Sequence, residues 1–145
     1  MTPKIGKQIA AEAEGWLGTP FVWQASVKGA GADCKGLIAG VARGCGRTEG
    51  SSVEALAGDY ARVVPLAALR AGLARLFDCV TERQAGDVLL VRTGGAAQHL
   101  AFAAPTEKHP LRTIEALHMG PRRVVEFRRG ADEVDSIWRW RDRCR

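Results

Sequence analysis

Four cysteines and three histidines hold most of this chain's capacity for nucleophilic attack and proton transfer. Cys34 alone stands where a thiol becomes activated. It lies in "GAGADCKGLIAGVARGCG", residues 29–46, behind a glycine-rich approach, directly after Asp33 and ahead of an apolar run that reads as a helix. A thiol attacks as its thiolate, and a helix start lowers a cysteine pKa because unpaired N–H groups and the helix dipole favour negative charge there. Gly36 and the glycines before Asp33 would let backbone N–H groups approach a bound carbonyl oxygen, as oxyanion stabilisation requires. The bland alternative for a cysteine is a small buried hydrophobe. It suits Cys45 and Cys79 better than Cys34, which Asp33 and Lys35 draw toward solvent; Cys144, at the chain end, is incidental.

A thiolate nucleophile needs a base that later serves as leaving-group acid, normally a histidine, and often a third polar group that orients it. His99 opens the "HLAFAA" strand and His118 ends "TIEALH" on a neighbouring one, whereas His109 in "TEKHPLRT" reads as an exposed turn. A lone histidine more often plays a surface or structural part. Two at strand ends beside a helix-capping cysteine fit a Cys34–His99–His118 arrangement. A zinc site would want Cys-x-x-Cys pairs or close Cys/His spacing. Cys34 and Cys45, eleven residues apart, would lie roughly 16 Å apart along one helix, so no metal and no cofactor is expected.

The positioning elements follow from local signals. Thr2 and Pro3 supply a cap and a first-turn proline, Gly18 a stop, and Ile9, Ala13, Trp16 and Leu17 one apolar face. "FVWQASVKGAGA" reads as a loop, and a second helix runs from near Cys34 to Gly44–Gly46. Ser51 and Glu54 have capping-box spacing and predict a third short helix. Pro65 opens "PLAALRAGLARLF", with Leu66, Leu69, Leu73 and Leu76 inward. From residue 86 the period changes, and 86–92, 99–104, 112–119, 122–128 and 134–141 read as strands whose short spacing suits antiparallel hairpins. Helices first and a meander after them make an α+β fold, with N-terminal helices packed on a C-terminal antiparallel β-sheet.

At 145 residues, with 46% hydrophobic and 26% charged content and no repeat, residues 1–145 read as one domain. The net charge of +5 concentrates in "PRRVVEFRRG" and "IWRWRDRCR". Trp138 and Trp140 alternate with Arg139 and Arg141, the pattern of a terminal strand with one buried face, so no nucleic-acid partner is expected. The charge also suits an anionic polymer such as a cell wall. The N-terminal stretch holds no signal-peptide core and nothing later would span a membrane. The expectation is a chain made in the bacterial cytoplasm, without membrane insertion and with free thiols.

In order, "GWLGTPFVWQASVKGAGADCKGLIAGV", "AGDVLLVR", "QHLAFA" and "ALHMGPRRVVE" resemble the NlpC-type papain-like cysteine peptidases that cut bacterial cell walls, from about Trp16 to Glu126. The resemblance implies the papain-like (NlpC-type) α+β fold, with Cys34 as nucleophile, His99 as general base and His118 as the orienting third residue. Asp33 matches an aspartate that in relatives helps bind the free amino end of the stem peptide. The implied substrate is peptidoglycan, typically the D-glutamyl–diaminopimelate bond. The missing signal peptide, the "WQASVKG" segment and the single-domain length are most similar to the subgroup of tailed phages and gene-transfer agents. That implies a place in the tail tip of a phage-like particle, beside tail-tip or baseplate proteins, with action at the periplasmic cell wall.

The chain departs from the pattern at three points. Phe21 stands where the family has tyrosine, so a hydroxyl of the oxyanion hole is missing, and it lies one residue farther from the cysteine. Gln24 offers a replacement donor, and Lys35 stands where relatives often carry serine or leucine. Two other readings stay open: a structural tail-tip subunit with little activity, and a related thiol acyltransferase or amidase.

Overall fold

A computed structural model describes residues 1–47, 66–93 and 96–141. Helix α1 spans Pro3–Glu14, with the Thr2 side chain accepting the Ile5 N–H and Pro3 in the first turn. It stops earlier than Gly18. Gly15 caps it, and Gly18, at φ +88°, turns the chain away so that its N–H donates to the Val124 carbonyl. Helix α2, Cys34–Gly44, is apolar almost all round, and every residue from Lys35 to Ala42 is buried. That is the pattern of a helix enclosed on all sides. Trp16 lies across it at Gly40, where an added Cβ would sit 2.1 Å from the indole. Helix α3, Leu66–Leu76, buries Leu69, Gly72 and Leu73. The Ser51–Glu54 capping box, Pro65 and Cys144 lie outside the described residues.

Two elements escape the sequence signals. A two-residue hairpin, β1 (Ser26–Val27) with β2 (Gly31–Ala32), lies in the segment expected as loop. Strand β3 (Phe77–Val80) starts at the last residue of the expected helix and runs on where no element was expected. The remaining strands fall where the period change puts them: β4 (Val88–Thr93), β5 (Ala96–Ala103), β6 (Arg112–Ala116), β7 (Val124–Arg128) and, after a 3-10 turn at Ala131–Glu133, β8 (Val134–Trp140). The six-stranded antiparallel sheet runs β3-β8-β4-β5-β6-β7. It is not a plain meander, because β8 returns to pair with both β3 and β4. Trp140 packs edge-on against Phe77, ring centroids 4.6 Å apart, and its Nε1–H donates to the Gly86 carbonyl.

The main core lies between the helices and one sheet face, where Leu37, Ile38 and Val41 meet Leu90, Leu100, Phe102 and Ile114. A smaller cluster covers the other face: Leu89, Val91, Ala101 and Ala103 under Val134 and Ile137. Strands β4 and β5 are thus buried on both faces, which explains their unbroken apolar runs. Each fully buried Leu, Ile or Phe contributes about 1.5–3 kcal/mol.

Several arginines of the C-terminal part form ion pairs: Arg139 with Asp87, Arg141 with Asp78, Arg112 with Glu14 and Glu126, and Arg129 with Glu115 and Glu133. Among the described residues no helix is long and apolar enough to cross a membrane, and no three His, Cys, Asp or Glu side chains are grouped to hold a metal.

Candidate active site

The site forms where two neighbouring strands part. Strands β5 and β6 pair only at Phe102↔Ile114 and Ala103↔Thr113. Ala103 N–H bonds across to Asp87 and Ala104 N–H to Arg112, so the alternate backbone groups of Phe102 and Leu100 face β6. The ladder has ended by Leu100, and the first turn of α2 fills the gap. There the Leu100 N–H meets the Cys34 sulfur instead of a strand carbonyl. Strand β4 shifts register between Val91 and Arg92, beside the Val91↔His99 pair, and such a bulge re-aims neighbouring side chains.

Asp33 is the N-cap of α2. Its Oδ1 accepts the Gly36 N–H at 2.7 Å and its Oδ2 the Gln24 N–H at 2.8 Å. Gly36 has a different reason from the one its motif suggested: an added Cβ would lie 1.9 Å from the Ala25 carbonyl oxygen. The glycine admits the preceding loop against the helix, and the cap fastens the two together. Cys34 is thereby held at the first helical position, half-buried, where first-turn N–H groups have no partner within the helix.

His99 joins the thiol to a buried carboxylate. Its Nε2 lies 2.9 Å from Glu115 Oε1. An ionised carboxylate only accepts, so Nε2 carries the proton and Nδ1 is left for the Cys34 sulfur. The Cys34 and His99 side chains hydrogen-bond to each other. Glu115 is fully buried and is bonded at every turn. Arg129 Nη2 donates to Oε1 at 2.6 Å, Arg129 Nε reaches both oxygens at 3.2 Å, and the Thr113 hydroxyl donates to Oε2.

The electrostatics follow from this chain of contacts. Burial opposes charging the thiol, but the His99 hydrogen bond, the Lys35 and His99 charges and the Leu100 N–H outweigh it and hold Cys34 below the ordinary thiol value. Burial likewise opposes imidazolium, yet bonds to Cys34 and Glu115 push His99 from 6.5 up to about 9. Burial would raise Glu115, but His99, Arg129 and Thr113 bring it down to about 2. The lowered thiol and the raised imidazole favour a thiolate–imidazolium pair over the neutral pair, and that pair is what nucleophilic attack on a carbonyl needs.

An open cleft of about 380 Å³ leads to the pair, lined by Phe21, Trp23, Cys34, Lys35, Thr93, His99, Ala116, Leu117, His118 and Met119. Cys34 and His99 come together as expected. His118 does not join them as the orienting residue. It lies beyond the end of β6 and packs on Phe21 and Trp23, with centroids 5.2 and 4.8 Å away. Glu115 takes the bond to Nε2 because it shares its side of β6 with Thr113 while Ile114 and Ala116 face the helices. Glu115 was missed because "RTIEALH" offers a histidine nearby and a carboxylate in a strand reads as solvent-facing. Its alternation with Ile114 and Ala116 was the available signal. Phe21 brings an apolar edge to the cleft and no hydroxyl. Gln24, at φ 61°, engages Asp33 through its backbone, and its side chain is exposed and outside the cleft lining. Asp33, only 5% exposed, is likewise absent from that lining and acts as the cap.

No protein-family model and no curated protein matches the sequence. Solved structures do match in three dimensions. NlpC2 from Trichomonas vaginalis is similar over 94% of this chain at 17% identity and TM-score 0.64. The chain spans 47% of that protein's length. The NlpC/p60 domain of the peptidoglycan hydrolase SagA is similar over 92% of this chain and 97% of its own, at 24% identity and TM-score 0.59. The chain has the NlpC/p60 fold. The papain-like α+β architecture expected from the sequence is the one observed, helices on one face of an antiparallel sheet.

Proposed function

We propose that this protein is a cysteine endopeptidase of bacterial peptidoglycan. The reading rests above all on one observation: a half-buried thiol at a helix start bonded to a histidine whose other nitrogen is held by a buried carboxylate, at the floor of a cleft. The Cys34 thiolate adds to the scissile carbonyl carbon, and the first-turn N–H of α2 that Asp33 does not take, at Cys34 itself, serves the developing oxyanion. His99 then gives its Nδ1 proton to the leaving amine as the C–N bond breaks and a thioester remains. Water, deprotonated by His99, releases the acid and the thiol. Glu115 replaces His118 as the orienting group.

Peptidoglycan as substrate is supported by the fold shared with a peptidoglycan hydrolase domain and by the ordered motifs around Cys34 and His99. The D-glutamyl–diaminopimelate bond and a place in a phage-like tail tip belong to the same reading and rest on the sequence resemblance. A catalytically weak tail-tip subunit is the second reading, favoured by Phe21 at the cleft.

Mass spectrometry of muropeptides from diaminopimelate-type peptidoglycan, digested with wild type and with Cys34→Ala, tests the proposal. New fragments beginning at diaminopimelate, absent with the variant, are expected. Identical digests from the two proteins would favour the weakly active subunit.

A further inference from the structure

We propose that Arg129 is a positioning residue for the cysteine–histidine pair, clamping Glu115 from behind the sheet and balancing its charge against the His99 imidazolium. This rests on the thiol-hydrolase reading above. Arg129 follows β7 and is 7% exposed. Its guanidinium meets both oxygens of Glu115 on one side and Glu133 Oε2 at 3.1 Å on the other, and it lies 4.4 Å from the Phe127 ring centroid. The backbone is pinned as well, since Arg129 N–H donates to the Leu111 carbonyl and Arg83 Nη2 donates to the Arg129 carbonyl. Glu133 in turn accepts the Gly130 N–H at 3.1 Å. A chain of contacts therefore runs from the thiol through His99, Glu115 and Arg129 to Glu133 on the outer side.

A structural ion pair needs no such alignment with a histidine. Without Arg129, Glu115 would face His99 as a buried carboxylate with one cation, hold the imidazolium proton harder, and turn more freely about its own side chain. Both changes slow proton delivery to a leaving amine. The charged groups around the Cys34–His99 pair are Lys35 from α2, Glu115 from β6, and Arg129 with Glu133 from the turn after β7. Arg83 stands at the backbone of Arg129.

The chain has only three histidines, so the His99 ring can be followed by NMR through a pH titration in wild type, Arg129→Met, Arg129→Lys and Glu133→Gln, alongside muropeptide kinetics. Arg129→Met should move the His99 midpoint up by about half a pH unit or more, and lower kcat by on the order of 10–100-fold with KM within about twofold. Arg129→Lys should restore the midpoint but only part of kcat, because an ammonium lacks the planar fork. Glu133→Gln, which leaves the Glu115 contacts intact, should move the midpoint slightly down, and it serves alone if Arg129→Met does not fold. A His99 midpoint unmoved in folded variants overturns the inference. Wild type that leaves peptidoglycan intact while the midpoints move as stated would refute the hydrolase reading and leave the positioning role standing.

Discussion

The two ends of α2 carry the same side chain and treat it in opposite ways. Cys34 at the N-terminal end is held below the ordinary thiol pKa; Cys45, the C-cap, is pushed above it. Burial opposes the charge at both. At the first end, His99, Lys35 and the Leu100 N–H overcome burial. At the second, Glu12 adds to it, and Arg47 and Lys28 do not compensate. The helix dipole points the same way, favouring a thiolate at its start and disfavouring one at its end. The acidity of each thiol belongs to its position, and the neighbours brought to that position decide its direction.

Exchanging the cysteines one at a time should give the largest contrast. Cys34→Ala should lower muropeptide release by on the order of a thousandfold or more, whereas Cys45→Ala should leave it within about twofold. Comparable losses from both would show that α2 is sensitive as a whole and that the thiol at its start is not special.

Paired glycines at the two ends probe the same difference through packing. An added Cβ at Gly36 meets the Ala25 backbone oxygen, which cannot move aside without dismantling the cap. At Gly44 it meets the flexible end of the Glu12 side chain. Gly36→Ala should destabilise by on the order of 1–3 kcal/mol and cost activity, while thermal melts of Gly44→Ala should match wild type. A tolerated Gly36→Ala would mean that the loop at residues 22–25 is not held as described.

Alkylation reads the contrast without any substrate. At pH 6.5, iodoacetamide should label Cys34 at least about tenfold faster than Cys45, measured by peptide mass spectrometry. Equal rates would remove the ground for a stored thiolate.

The smallest change sharpens the electrostatic part. Glu115→Gln keeps an acceptor for Nε2 but removes the charge, so the alkaline limb of the pH–rate profile should fall from near 9 toward the ordinary histidine value. The sign carries into stability. His99, raised in the folded state, contributes fully below about 6.5 and loses its contribution as pH rises through about 9. Glu115, depressed, contributes fully above about 4.5 and loses its contribution as pH falls toward about 2. The excess melting temperature of wild type over Glu115→Gln should therefore be greatest between about 4.5 and 6.5 and shrink on both sides.

Much of this site was readable as text because it depends on local order. A cap, a cysteine and a glycine at fixed spacing ahead of an apolar run specify a helix start with a thiol on it, since N-capping is settled within four residues. Unbroken apolar runs likewise mark β4 and β5, and alternation marks the last strand, with Trp138 and Trp140 on its buried side. Strand β3 and the β1–β2 hairpin were not legible, because four exposed-and-buried residues and two pairs of residues are strands only by virtue of a partner.

The third member of the site shows where sequence stops. His118 and Glu115 lie three positions apart in one short segment, and either residue type can orient an imidazole. By itself the sequence singled out Cys34 at a helix start, His99 on the adjoining strand and the class of fold, all written in local spacing and periodicity. Only the tertiary structure decided between Glu115 and His118. That choice depends on where β5 and β6 separate, which side of β6 faces the helices, and whether Arg129, thirteen residues beyond the strand's end at Ala116, returns beneath it. The energy of a buried carboxylate is set by its partners in space, and Arg129, Thr113 and His99 meet around Glu115 only once the sheet has closed.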